Sequence, residues 1–120
     1  MPIEGGTLEG PRLRARLLPG GADYQIVHPD GFTEAEARYV LETDSGDLVY
    51  VNNRGMRHGP PDAIRRLNAG EPVDPALIYF RTVPTFETSS AELRWLTQSI
   101  FIGVGEREPR AVRIRFYRVL

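Results

Sequence analysis

The chain contains no cysteine and no lysine; all 15 of its basic residues are arginine. Without cysteine there is no thiol nucleophile, no thiolate metal site and no disulfide, and without lysine this polypeptide cannot form a Schiff base. Charge of one sign is missing too: 15 basic residues face 16 acidic ones, and no long run of either suggests a nucleic-acid tail or a polybasic membrane patch. Histidine is scarce. His28 precedes Pro29 and His58 precedes Gly59-Pro60, turn contexts with no metal-ligand spacing, so no metal is expected. None of Ser45, Ser89, Ser90 and Ser99 lies in a nucleophile-elbow sequence, which argues against a Ser-His-Asp triad. No secretory leader pattern and no apolar run of spanning length occur, so the expectation is a cytoplasmic protein without membrane or nucleic-acid partners.

What is present reads as strands. At 120 residues the chain is long enough for one core, and 1–120 is taken as a single domain without internal repeats. Leu13, Ala15 and Leu17 alternate with Arg12, Arg14 and Arg16, the period of a strand with one buried face, and Pro19-Gly20-Gly21 then turns the chain. Asp23 to Val27 reads as a short strand. Ala35, Ala37, Tyr39 and Leu41 alternate with charged neighbours, Thr43 to Asp47 forms a loop, and Leu48 to Val51 returns as the hairpin partner. Asn53 to Gly59 reads as a polar loop with three basic side chains, whose backbone N–H groups and arginines offer an anion site but which lacks the length and helix context of a phosphate loop. Pro60-Pro61-Asp62 opens a short helix carrying Ile64 and Leu67, and Gly70 stops it. Ile78 to Thr88 is strand-like, with Pro84 predicting an edge position or a bulge. Ser90 is placed to cap one helical turn through Trp95 and Leu96. Ile100 to Gly105 looks buried on both sides, and Val112, Ile114 and Phe116 mark a last strand. These elements predict a mainly β fold, an antiparallel sheet closed into a barrel or sandwich with one short helix.

Several segments together resemble the domain-of-unknown-function family 3237. They are Gly-Gly-Thr-Leu-Glu-Gly-Pro-Arg-Leu at 5–13, Pro-Gly-Gly-Ala-Asp at 19–23, Asn53-Arg54-Gly55, Tyr79-Phe80-Arg81-Thr82, Phe86-Glu87-Thr88, Trp95-Leu96 and Phe101 to Gly105. The resemblance spans nearly the whole chain and implies a calycin-like or cyclase-like antiparallel barrel. Such barrels can hold one small ligand. It implies no particular reaction. Members of that family carry a further strand and loop before the Gly-Gly-Thr segment, so an open seam with unpaired backbone groups is expected here. A second copy covering that seam makes a homodimer the expected state.

The polar residues singled out for chemistry are Asp23, Arg54, Arg81 and Glu87, with Tyr39, Tyr50, His58 and Trp95 as walls. Arg81 follows Tyr79-Phe80 in a strand built for a core, where an unpaired guanidinium is costly, so it calls for a carboxylate partner or an anionic ligand. Glu87 stands six positions on, the same face of an uninterrupted strand. That pair reads either as an internal salt bridge or as a site for a carboxylate or enolate. Asp23 reads either as a turn acceptor or as a general base at the barrel mouth. Gly103 and Gly105 read as sites of sheet coiling, and Trp95 as a plug or core anchor. The expected function is a barrel that binds a hydrophobic or aromatic metabolite, with cofactor-free isomerase, cyclase or hydratase chemistry carried by Asp23, Arg81 and Glu87. A non-catalytic carrier and a side-chain-filled interaction module are the alternatives.

Overall fold

Strict alternation along most of the chain yields nine strands in one antiparallel sheet, seen in a computed structural model that describes residues 2–3, 5–10, 13–108 and 111–120. The strands are β1 (Pro2–Ile3), β2 (Gly6–Glu9), β3 (Arg14–Leu17), β4 (Gly21–Val27), β5 (Thr33–Thr43), β6 (Leu48–His58), β7 (Tyr79–Glu87), β8 (Ile100–Arg107) and β9 (Val112–Val119). Two α-helical pieces, α1 (Pro61–Asn68) and the single turn α2 (Arg94–Thr97), interrupt them.

β5 is the pivot. One of its edges pairs with β6 from Thr33 to Glu42. The other edge is shared: β4 takes Thr33–Arg38 and β3 takes Leu41–Thr43. A backbone hydrogen bond from Leu18 N to the Val40 carbonyl, 2.8 Å, joins the two halves of the fork. From β6 the order continues β7, β8, β9, and β1 and β2 border β4 and β3. The result is a half-barrel: all strands belong to one sheet, so the sandwich alternative does not arise. Among the described residues no strand pairs with the far edge of β9.

The concave face carries the core. Leu41, Val49 and Val51 are fully buried, each contributing about 1.5–3 kcal/mol by removal from water. Tyr39, Phe86 and Phe101 pack beside them, and Leu93 and Leu96 close that end from the α2 segment. Phe86 meets Phe101 edge-on, with centroids 5.2 Å apart. At the other end lies α1. Pro61 stands in its first turn, where a missing N–H costs nothing, and Ala63, Ile64 and Leu67 are its buried stripe. Ile64 packs against Gly31, and Asn68 accepts a hydrogen bond from Arg107 of β8 at 3.0 Å.

Three local expectations change and one holds. Residues 53–58 are the second half of β6, held extended between β5 and β7 instead of looping out. The run from Ile100 is buried on one face only: Phe101, Gly103 and Gly105 point inward, while Ile100 and Ile102 are exposed. Pro84 is buried and opposite Asn53 in the β6–β7 ladder, and on its other side it has no ladder partner, the local edge position expected of it. The β7–β8 ladder ends at Thr82 and Gly103, before the residue that has no N–H to give it. Ser90 does not cap α2; its hydroxyl donates to Asp47 at 3.3 Å.

Candidate functional site

Register decides which polar groups meet. Residues paired across an antiparallel ladder share a face, and three pairings in sequence link Asp23 to Ala37, Ala37 to Asn53 and Asn53 to Pro84. The next row runs Gln25, Ala35, Gly55, Thr82, Gly103, Phe116, and the row beyond it Thr33, Arg57, Phe80. All of these occupy the concave face. Ala35, Ala37 and Gly55 stand together as a row of short residues, a floor whose rim is Asp23, Gln25, Asn53, Arg57 and Thr82.

The rim is short of partners. Asn53 and Thr82 are 3% and 4% exposed, and the Asn53 Oδ1 and Thr82 Oγ1 atoms have no hydrogen-bond partner among the described residues. Arg57 is 6% exposed, and its guanidinium makes no hydrogen bond or ion pair among the described residues. Its carbon lies over the Phe80 ring, 5.6 Å from the centroid. Burial is the main cause that lowers the Arg57 pKa from its ordinary value; the nearby Arg107 adds to the lowering and the Asp23 carboxylate opposes it. Asp23 accepts a hydrogen bond from Gln25 Nε2 at 2.8 Å. Thr82 fits between two glycines: a Cβ on Gly55 would come within 2.8 Å of the Thr82 Cα, and one on Gly103 would collide with the Thr82 hydroxyl.

The residues singled out from sequence divide between the two faces of the sheet. Asp23, Tyr39 and Trp95 lie on the concave side. Tyr39 is buried, which pushes its phenol up to about 12. Trp95 packs against the core, 6.1 Å from Phe101. Arg54, Tyr50, His58, Arg81 and Glu87 lie on the outer face, because Phe80, Thr82, Pro84 and Phe86 take the inward positions of β7. Arg81 and Glu87 do share a face, as their spacing implies, but neither makes an ion pair among the described residues. Arg81 donates to the Phe80 carbonyl at 2.9 Å and lies over the Tyr79 ring. Arg54 stands 3.9 Å from Glu36, whose pKa is lowered chiefly by hydrogen bonds from Arg38 and Asn52. His58 stacks on Tyr79 at 4.9 Å.

Asn53, Thr82 and Gln25 are not singled out from the sequence, and Arg57 enters there only as one of the basic residues of the 53–59 segment. A signal for two of them exists: Val49, Val51, Asn53, Gly55 and Arg57 keep one unbroken period of two, so Asn53 and Arg57 share the phase of the core valines. An opening of about 350 Å3 lies at the far end, between β2, β3 and β5. Its charges already face one another, Arg16 to Glu42 at 2.7 Å and Arg14 to Glu9 at 3.9 Å, which makes it the weaker candidate. The described residues hold no group of three His, Cys, Asp or Glu arranged for a metal, and no described helix is long and apolar enough to cross a membrane.

Comparison with known proteins gives a consistent result. A UPF0311 protein of Rhodopseudomonas palustris is 48% identical over 120 residues, covering all of this chain and 78% of the relative. A crystal structure of a conserved protein of unknown function from Rhodopseudomonas palustris superposes with a TM-score of 0.97 at 47% identity, over 99% of this chain and 80% of that one. A protein from Acinetobacter baumannii, described as β-barrel-like, gives a TM-score of 0.84 at 42% identity, over 98% of this chain and 75% of its own. Residues 1–119 match the family described as "Protein of unknown function (DUF3237)", and with relatives this similar over its whole length the chain belongs to that family.

Proposed function

We propose that this protein binds a small organic molecule in the concave hollow between β4 and β8. The observation that carries the reading is the combination of a floor of small residues, Ala35, Ala37 and Gly55, with buried polar atoms on the rim that lack protein partners. Each buried polar atom left unpaired costs about 1–3 kcal/mol. Two of them beside a buried guanidinium are more easily understood as groups awaiting a ligand than as packing errors. The aromatic rings of Phe80 and Phe116 and the ring of Pro84 lie on the same face and supply apolar contact for the ligand's body. Asp23 is the carboxylate on this face, so it is the group that would exchange a proton with the ligand in a cofactor-free isomerisation, cyclisation or hydration.

Native mass spectrometry of freshly purified protein, followed by amide chemical-shift mapping with the recovered compound or a small aromatic panel, tests the reading. A ligand should shift the resonances of Ala35, Ala37 and Gly55. Ala37→Phe, which raises the floor, should remove binding while the protein still unfolds cooperatively. Shifts confined to the outer face, or binding untouched by Ala37→Phe, would move the ligand elsewhere.

A further inference from the structure

We infer that the hollow is built for an organic carboxylate, received by Arg57 as its anion-binding residue. The inference rests on the ligand-binding reading above and adds the chemical class of the ligand.

Arg57 stands in the middle of the sheet, paired across to Thr33 on one side and Phe80 on the other. A guanidinium there loses most of its hydration and, among the described residues, gains the face of Phe80 and the field of the Asp23 carboxylate. The Phe80 ring takes one side of the guanidinium. Its five N–H donors make no hydrogen bond among the described residues, and a planar fork of this kind accepts two oxygens of a planar anion side by side. Among the described residues, the other arginines have partners or solvent. Arg16, Arg38 and Arg65 pair with Glu42, Glu36 and Asp62, and Arg81 and Arg54 face outward.

The surroundings choose among anions. Arg107 reinforces the positive end of the hollow, with one of its nitrogens already given to Asn68. Asp23 faces the same hollow and acts electrostatically on Arg57, so a ligand with two negative charges would meet a like charge across the floor. A monoanion avoids most of that repulsion. Asn53 Oδ1 and Thr82 Oγ1 are buried without partners and would have to turn outward to meet a hydroxyl or N–H on the ligand's body, while Ala35 and Ala37 offer it an apolar seat. A carboxylate on a compact ring or short apolar chain fits this set; phosphate does not.

Benzoate, benzamide and inorganic phosphate are suitable probes, each titrated into the whole chain at constant ionic strength while the Arg57 Nε–H and the Ala35, Ala37 and Gly55 amides are followed by NMR. Benzoate should bind about tenfold more tightly than benzamide, the scale of one charge-assisted hydrogen-bonded contact, and should move the Arg57 Nε–H resonance; phosphate should not compete with it. In Arg57→Met the preference for benzoate should fall below about twofold while benzamide binding is kept. Arg57→Gln serves the same purpose if the Met variant does not fold, and the wild-type selectivity decides if neither does. Equal binding of benzoate and benzamide at the floor would overturn the carboxylate inference and leave ligand binding standing. Tighter binding of phosphate than benzoate would overturn it in favour of a phosphate site. Absence of any shift at the floor with all three probes would count against both readings.

Discussion

Tyr39 shows what a single side chain does when placed on the concave face. Its ring belongs to the core and burial raises its phenol from 10 to about 12. The unfolded chain therefore loses this proton first. Stability contributed by the neutral phenol is fully present below about pH 10 and is lost as pH rises towards 12, on the order of 2 kcal/mol in all. Urea unfolding at pH 9 and pH 11 should show that fall, and Tyr39→Phe should make it smaller; an unchanged fall would place its origin in other groups. At the same scale lies the exchange of one arginine for another. Arg81 and Arg57 both sit in strands flanked by apolar residues, and a shift of one position decides which of them points inward. The aromatic pair Tyr79-Phe80 drew attention to Arg81, yet Phe80 takes the inward place and leaves Arg81 outside. Arg57 is legible only by carrying the phase of Val49 and Val51 forward for six more residues.

The clearest elements in the sequence are those whose signals are local. The β5–β6 hairpin and α1 have alternation, turn residues and end signals within a short stretch, and both occur as expected. The second half of β6 does not. Asn52-Asn53-Arg54-Gly55 has the composition of a turn, and only the ladders to β5 and β7 on either side keep it extended, since strand preference depends on paired neighbours more than on residue type. Gly103 expresses the same dependence in β8. It allows the Thr82 hydroxyl and Phe116 to close over the strand. Gly103→Ala should cost about 1–3 kcal/mol by overpacking, measured by denaturant unfolding, and Thr82→Ala in the same chain should restore part of that. Strictly additive losses would mean the two residues do not press on one another.

At the scale of the whole molecule, alongside the edges of β2 and of the end of β4, the far edge of β9 is one open side among the described residues. Beside it the outer face carries two apolar cross-strand pairs, Ile100 with Val119 and Ile102 with Tyr117, and Ile100 is 68% exposed. An unpaired edge next to an apolar surface is a template for another strand. A second copy of β9 placed antiparallel with Phe116 on the two-fold sets Arg115 opposite Tyr117, Ile114 opposite Arg118 and Arg113 opposite Val119. No arginines face one another in that register, whereas a two-fold at Arg115 would oppose them. The expected state is therefore a dimer through β9 in sedimentation at micromolar concentration, converted to monomer by Ile102→Glu. A wild-type monomer would remove the proposal, and a dimer insensitive to Ile102→Glu would place the contact elsewhere.

The sequence by itself determined the β class, the hairpin, the helix and the family, because each rests on spacing within a short stretch or on residues matched one by one. Only the tertiary structure decided which polar residues share a site. Asp23, Asn53, Arg57 and Thr82 meet through three ladders between strands that are distant along the chain. A period of two tells that a strand has two faces. Where polar residues stand on both, as in β6 and β7, the sign of the face is set by register with the neighbouring strands.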